Sequence, residues 1–242
     1  MRLARTLTAG LFAGALLAPA GSAAAPANFA PVTAEQAEDT GVLRFDVKRG
    51  GDKIGTHQLT FRRAGDRLTV KVDIDLSVGI GPIKFFRYTH DNTTTWANGQ
   101  VVAMKTRTND DGTDYRVDAK RLDDGRLQVK TKDATKTVAG TILPSTYWIA
   151  ETIDADKLLN TQKGTVEEIT VEAGGTDTVE TADGPVQAQR YVIHGALDTH
   201  IWYRDMNRWV GLAFDARGER VTYHLTKHTG YLPTEPPKTG ES

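Results

Sequence analysis

The chain has 242 residues, 39% of them hydrophobic and 25% charged, with a formal net charge of −1. That is ordinary globular composition, and the near-zero charge excludes binding of nucleic acid or of an anionic membrane through bulk electrostatics. With no cysteine, thiol chemistry, disulfide staples and lipidation at a cysteine are excluded too, so burial must hold the fold together.

Residues 1–24 have the layout of a secretory signal peptide. Arg2 and Arg5 open it, Leu7 to Leu17 is apolar but too short to span a bilayer, and the small residues Ser22, Ala23 and Ala24 follow. Cleavage is expected between Ala24 and Ala27. Nothing later is apolar for long enough to make a transmembrane helix. The mature chain is therefore expected to be exported and soluble, in the periplasm or outside the cell.

Residues 25–40 are small, polar and aperiodic, and are expected to form a flexible lead-in. From Gly41 the pattern changes to period two. Leu43, Phe45 and Val47 alternate with Arg44, Asp46 and Lys48; Leu68, Val70, Val72, Ile74 and Leu76 alternate with polar residues. This pattern belongs to antiparallel strands with one buried and one wet face. Turn pairs recur at Gly50-Gly51, Gly65-Asp66, Asn98-Gly99, Asp111-Gly112, Asp124-Gly125, Asp183-Gly184 and Arg217-Gly218, and Asx-Gly pairs supply the positive φ of tight hairpins. Strands are expected at 42–48, 53–62, 67–77, 84–96, 100–108, 114–121, 126–131 and 134–138. Six more follow at 165–173, 176–181, 186–194, 197–204, 208–215 and 219–226.

Between the two runs, Pro144 and Ser145 can open a helix, with Ser145 as N-cap. Trp148, Ile149, Thr152 and Ile153 lie at helical spacing. One or two short helices are expected near 145–160. The last residues, 229–242, carry three prolines among polar residues and are expected to be a flexible tail. A meander this long cannot stay flat, because twist accumulates from strand to strand. The expected fold is a single all-β, mainly antiparallel domain over 41–228. It is a strongly curved meander sheet or open half-barrel wrapped around the short helices.

Tests for chemistry return little. None of the four serines lies in Gly-x-Ser-x-Gly, no glycine-rich phosphate loop is present, and His-Glu-x-x-His is missing. The six histidines (His57, His90, His194, His200, His224 and His228) show no metal-ligand spacing. The carboxylate pairs, such as Asp73 and Asp75 or Asp123 and Asp124, sit in turns or on wet faces. No catalytic residue, metal or cofactor is assigned.

The most informative row is Phe86, Tyr88, His90, Asn92, Thr94 and Trp96, which share one face of one strand at period two. Aromatics with polar groups between them can line a cavity, or pack as a core whose polar groups satisfy one another. In HIWYRDMNRWVGLAF, Trp202 and His200 share one face while Ile201 and Tyr203 share the other.

The same residues carry a family resemblance. Phe45-Asp46-Val47 with Lys53-Ile54-Gly55-Thr56-His57 resembles the opening hairpin of exported proteins grouped as domain of unknown function 6134, and more distantly of group 3108. Further matching marks are Tyr88-Thr89-His90, Trp96-Ala97-Asn98-Gly99, Thr106 to Gly112, Pro144 to Trp148, Thr161 to Gly164 and Trp202-Tyr203. Ile149 departs from the asparagine expected after Trp148. The resemblance implies an exported, mostly β protein and carries no activity or site residue with it.

Three functions are compatible with these features. The first is a binder of a lipid or other amphipathic small molecule, with Phe86, Tyr88, His90, Trp96, Trp148 and Trp202 lining the cavity. The second is an envelope adaptor that pairs with a partner protein through exposed strand edges. The third is a hydrolase using His90 and a carboxylate from a distant strand; the reading leans away from an enzyme.

Overall fold

The computed structural model describes residues 39–80, 83–236 and 238. The signal peptide expected over 1–24, and all but the last two residues of the expected lead-in, lie outside the described residues. Within them the chain forms strands and no α-helix. The first run is β1 (Asp39–Arg49), β2 (Asp52–Ala64), β3 (Arg67–Ile80), β4 (Ile83–Ala97), β5 (Gln100–Asp110), β6 (Thr113–Arg121), β7 (Leu127–Thr131) and β8 (Thr135–Val138). A short insert follows with β9 (Leu143–Pro144), β10 (Lys157–Leu159) and β11 (Val166–Glu168). The second run is β12 (Thr170–Thr181), β13 (Gly184–His194), β14 (Thr199–Arg204), β15 (Arg208–Ala216) and β16 (Glu219–Gly230).

Each run is an antiparallel meander, and the two join where β16 pairs with β1. The result is one 13-stranded sheet with β1 and β16 in its interior and β8 and β12 at its ends. Thr181 of β12 also bridges in parallel to Leu225 of β16, so β12 to β16 close into a ring. The turn chemistry is as the sequence implies. In Asn98-Gly99, Asp111-Gly112 and Arg217-Gly218 both residues have positive φ, the two-residue loop that matches strand twist.

Period two decides which side chains meet. On β3, Leu68, Val70, Val72 and Leu76 are buried, while Lys71 and Asp73 form an exposed ion pair at 2.6 Å. The buried face cannot be flat. Trp148 of the insert stacks edge-on against Phe61 of β2 (5.4 Å) and Trp96 of β4 (5.8 Å). Its neighbours Tyr147 and Ile149 present their carbonyls to the Tyr203 hydroxyl of β14, at 2.7 and 3.2 Å. β14 and β4 are six strands apart in the sheet, roughly 29 Å on a flat sheet at about 4.8 Å per strand. Three consecutive residues can touch both only because the sheet curls around them.

The insert itself differs from expectation. In place of short helices it holds a single 3-10 turn, Ala150–Asp154, between bridge-sized strands. The Ser145 hydroxyl does not cap a helix; it accepts from the Thr161 amide at 3.2 Å. Thr146, Trp148 and Ile149 are all buried. Their burial reflects enclosure by the curled sheet, which a helical period cannot represent. A second difference lies at Gly174-Gly175, where a break between strands was expected. β12 runs straight through with a bulge between Ala173 and Gly175, the glycine pair making a local kink and not a turn. β16 continues past 228 to Gly230, and the Tyr231 amide then donates to Thr40 at 2.9 Å.

Candidate functional site

Because neighbouring strands alternate in direction, six connections fall at one end of the curled sheet: β1–β2, β3–β4, β5–β6, β7–β8, β13–β14 and β15–β16. Those of β2–β3, β4–β5, β6–β7, β12–β13 and β14–β15 fall at the other. Along each inward face the two ends differ. At the second end Leu68, Phe61, Trp96, Met104 and Trp148 are almost wholly buried and pack together. At the first end the same faces line a cavity of about 650 Å³, within the roughly 300–1,000 Å³ of small-molecule sites.

β3 supplies Val72, Ile74, Leu76 and Val78 to its wall; β15 and β16 supply Leu212, Phe214, Val221 and Tyr223. The insert closes one side with Tyr147, Leu158, Thr161, Gln162 and Ile169. Phe85 and Leu197 stand at the mouth, 60% and 47% exposed. Arg49, Arg217 and Lys163 also line it, with the Arg217 guanidinium 4.8 Å over the Phe86 ring.

Six residues were expected to line a cavity, and the structure divides them. Phe86, Tyr88 and His90 are on its wall. Trp96 shares their face of β4 but lies in the packed end, against Trp148. Trp202 is on the opposite face of β14 from Ile201 and Tyr203. Its indole donates to Asp177 at 2.8 Å, and it lies with Val179 of β12 against Gly211. These three tryptophans are not among the lining residues.

The polar groups of the wall are mostly committed to one another. The Tyr88 hydroxyl donates to Gln162 Oε1 at 3.1 Å, and Gln162 Nε2 donates to Asp110 at 3.1 Å. His90 Nδ1 lies 2.7 Å from the Thr108 hydroxyl and Nε2 3.4 Å from that of Thr161, which is 3.5 Å from Ser145. This chain ties the insert to β4 and β5. Among the described residues no carboxylate is hydrogen-bonded to His90, and Thr161 stands between the imidazole and Ser145. Asp91, the neighbouring acid, is exposed on the other face of the strand.

Burial holds His90 neutral, with its pKa lowered to about 4. His57 is lowered further, to about 3, by burial and by the nearby His90 charge. Neither His57 nitrogen has a hydrogen-bond partner; the ring stands edge-on to Trp209 and Tyr223 at 5.5 Å. Burial likewise pushes the Tyr147 hydroxyl up to about 12 and raises Tyr88 and Tyr223. At neutral pH these buried histidines and tyrosines are therefore uncharged. Among the described residues no group of three His, Asp or Glu side chains is placed to hold a metal ion, and no helix is long and apolar enough to cross a membrane.

In the sequence Tyr147, Gln162 and Lys163 stand out only as family marks and Arg217 only as a turn residue, none of them as a site residue. The signal present was the run Asn160 to Gly164. The Asn160 side chain accepts from the Gln162 and Lys163 amides at 2.9 and 2.8 Å. Gly164 follows at φ 69°, where a Cβ would sit 2.8 Å from Thr131. Only glycine lets this polar turn press against β7, and the turn aims Gln162 at Tyr88.

The chain belongs to a family described as Domain of unknown function (DUF6134), whose family model matches residues 45–226. None of the curated proteins matches it. It is similar to a solved structure described as a β-barrel-like protein of domain of unknown function DUF1849 from Brucella abortus. That likeness has a TM-score of 0.54 at 16% identity, covering 80% of this chain and 98% of that one. At this identity the likeness concerns the fold alone.

Proposed function

We propose that this member of the DUF6134 family is an exported protein that holds an apolar or amphipathic small molecule in the open end of its curled sheet. The observation that carries this reading is the 650 Å³ cavity itself. A sheet able to pack Trp96, Phe61 and Trp148 without gaps at one end is left unfilled at the other. Its walls are predominantly aliphatic and aromatic, with a few convergent polar groups, the usual character of a small-molecule site. Phe86, Tyr88 and His90 are assigned to binding.

Export rests on the signal-like layout of residues 1–24. After cleavage the chain is released as a soluble protein of the periplasm or the exterior. The adaptor alternative has less support, because the sheet edges are poorly suited to strand addition. β8 is four residues long, and β12 carries a bulge with Glu172, Asp177 and Glu180 along it.

The test is native mass spectrometry of the mature protein, purified gently from the cells that make it, followed by organic extraction. A near-stoichiometric bound small molecule is expected. A clean apo mass after gentle purification contradicts the proposal and moves the weight to the adaptor reading.

A further inference from the structure

The mouth of the cavity differs in charge from its interior. Three cationic side chains line it: Arg49 from the end of β1, Arg217 from the β15–β16 turn and Lys163 from the insert. Arg49 reaches across to the Arg217 carbonyl at 3.4 Å, which places the two guanidinium-bearing segments side by side. Among the described residues no carboxylate lies within 4.0 Å of any of the three, although other surface cations, such as Lys53, Lys71 and Arg126, have such partners. Two acids also line the cavity, but both are engaged by neutral donors. Asp110 accepts from Gln162 at 3.1 Å, and Glu167 accepts from Asn160 at 2.7 Å and from Thr165 at 3.3 Å. Beside the cations stand Phe85 and Leu197. They are two of the three large apolar side chains left exposed among the described residues; the third, Met206, is at the far end.

From this arrangement we propose that the ligand is a single-chain anionic amphiphile, its chain inside the cavity and its carboxylate or phosphate head at Arg49, Lys163 and Arg217. The inference rests on the cavity-binding reading above and adds the class and orientation of the ligand. The volume fits one chain. At about 30 Å³ per non-hydrogen atom, water's share of the liquid, the cavity has room for on the order of twenty such atoms. A two-chain phospholipid is too large to be enclosed. The orientation follows from electrostatics. An anionic head pushed inward would lose its water among aliphatic side chains and neutral histidines, with no cation to replace it. At the mouth it keeps part of its hydration and gains three charge-assisted partners, while Phe85 and Leu197 cover the first carbons of the chain.

The test uses the mature full-length protein and three probes of equal chain length, each below its micelle concentration: dodecanoate, dodecyl maltoside and dodecyltrimethylammonium. Calorimetric titration at low salt is expected to show dodecanoate binding about tenfold tighter than the cationic probe, as three partly exposed ion pairs acting together would give. Raising the salt should shrink that ratio. The triple variant Arg49→Gln/Lys163→Gln/Arg217→Gln should abolish it and leave dodecyl maltoside unchanged. Lys163→Glu alone, on an exposed turn, should narrow it if the triple variant folds poorly. Equal binding of all three probes, or preference for the cation, overturns the headgroup assignment while leaving the cavity reading intact. Binding of none of them overturns both.

Discussion

Two substitutions on one face of one strand separate a cavity from a core. Val70 and Ile74 both face inward from β3, four residues apart. Val70 is 1% exposed and sits in the packed end, opposite Phe61 and Thr94. Ile74 sits opposite His57 and His90 on the cavity wall. Val70→Phe forces a ring into a filled space, which costs about 1–3 kcal/mol in well-packed cores. For a domain of this size, a loss of roughly 2 kcal/mol lowers Tm by about 4–8 °C. Ile74→Phe adds three carbons and loses two hydrogens, an increase below roughly 90 Å³ even at water's share of about 30 Å³ per heavy atom, and so less than about a seventh of the 650 Å³ available. Its Tm should stay within about 2 °C of the wild type. Thermal unfolding of both variants, followed by circular dichroism on ligand-stripped protein, reads the difference. Equal losses would mean that the first end is as tightly packed in solution as the second, and the binding reading would lose its basis.

Acid stability should depend on His57. Its pKa is about 3 in the folded chain against about 6.5 unfolded, so between those values the unfolded state binds more protons. Stability is then complete above pH 6.5 and falls as the pH drops toward 3, by about 1.4 kcal/mol per pH unit from this one group. His57→Phe should flatten the fall by that amount between pH 4 and 6 in urea titrations; an unchanged slope would show that His57 is not shielded from protons. Tyr203→Phe leaves the Tyr147 carbonyl without its donor and the Ile149 carbonyl with only the Thr152 amide, and should destabilise by about 1–3 kcal/mol, with a shift in tryptophan emission from Trp148. No loss of stability would mean that the insert is not anchored to β14. Phe86→Ala should weaken binding of a hydrophobic dye several-fold, whereas Trp202→Phe should leave it unchanged; the opposite pattern would place the site on the wrong face of β14.

Much of this fold is written locally. Alternation along Leu68 to Leu76 and the Asx-Gly pairs gave strand positions within a few residues, because period and turn conformation are properties of short segments. Pairing of β16 with β1 is not, since it joins residues such as Phe45 and Leu225 from opposite ends of the chain. The glycine pair at 174–175 was ambiguous for a related reason: a bulge and a turn use the same residues, and the pairing of the neighbouring strand decides between them. At the site, period two grouped Phe86, Tyr88, His90 and Trp96 correctly on one face. How far along that face the packed core extends depends on where the insert lies, and the insert is positioned by tertiary contacts from Tyr203, Gly164 and Gln162. Trp148 falls in the packed end and Trp202 on the face of β14 turned away from the cavity, against Val179 and Gly211, for that reason. Aromatic density reports burial, and the direction of burial is fixed only by the curl.

On the reading proposed above, the first end of the sheet is a preformed, occupied cavity. A crystal structure of the mature protein, isolated without detergent from the cells that produce it, tests this directly. Continuous density is expected along Ile74, Leu76 and Phe214, ending near Arg217 and Lys163. Phe86 and Tyr88 collapsed inward, filling the space with protein atoms, would contradict it.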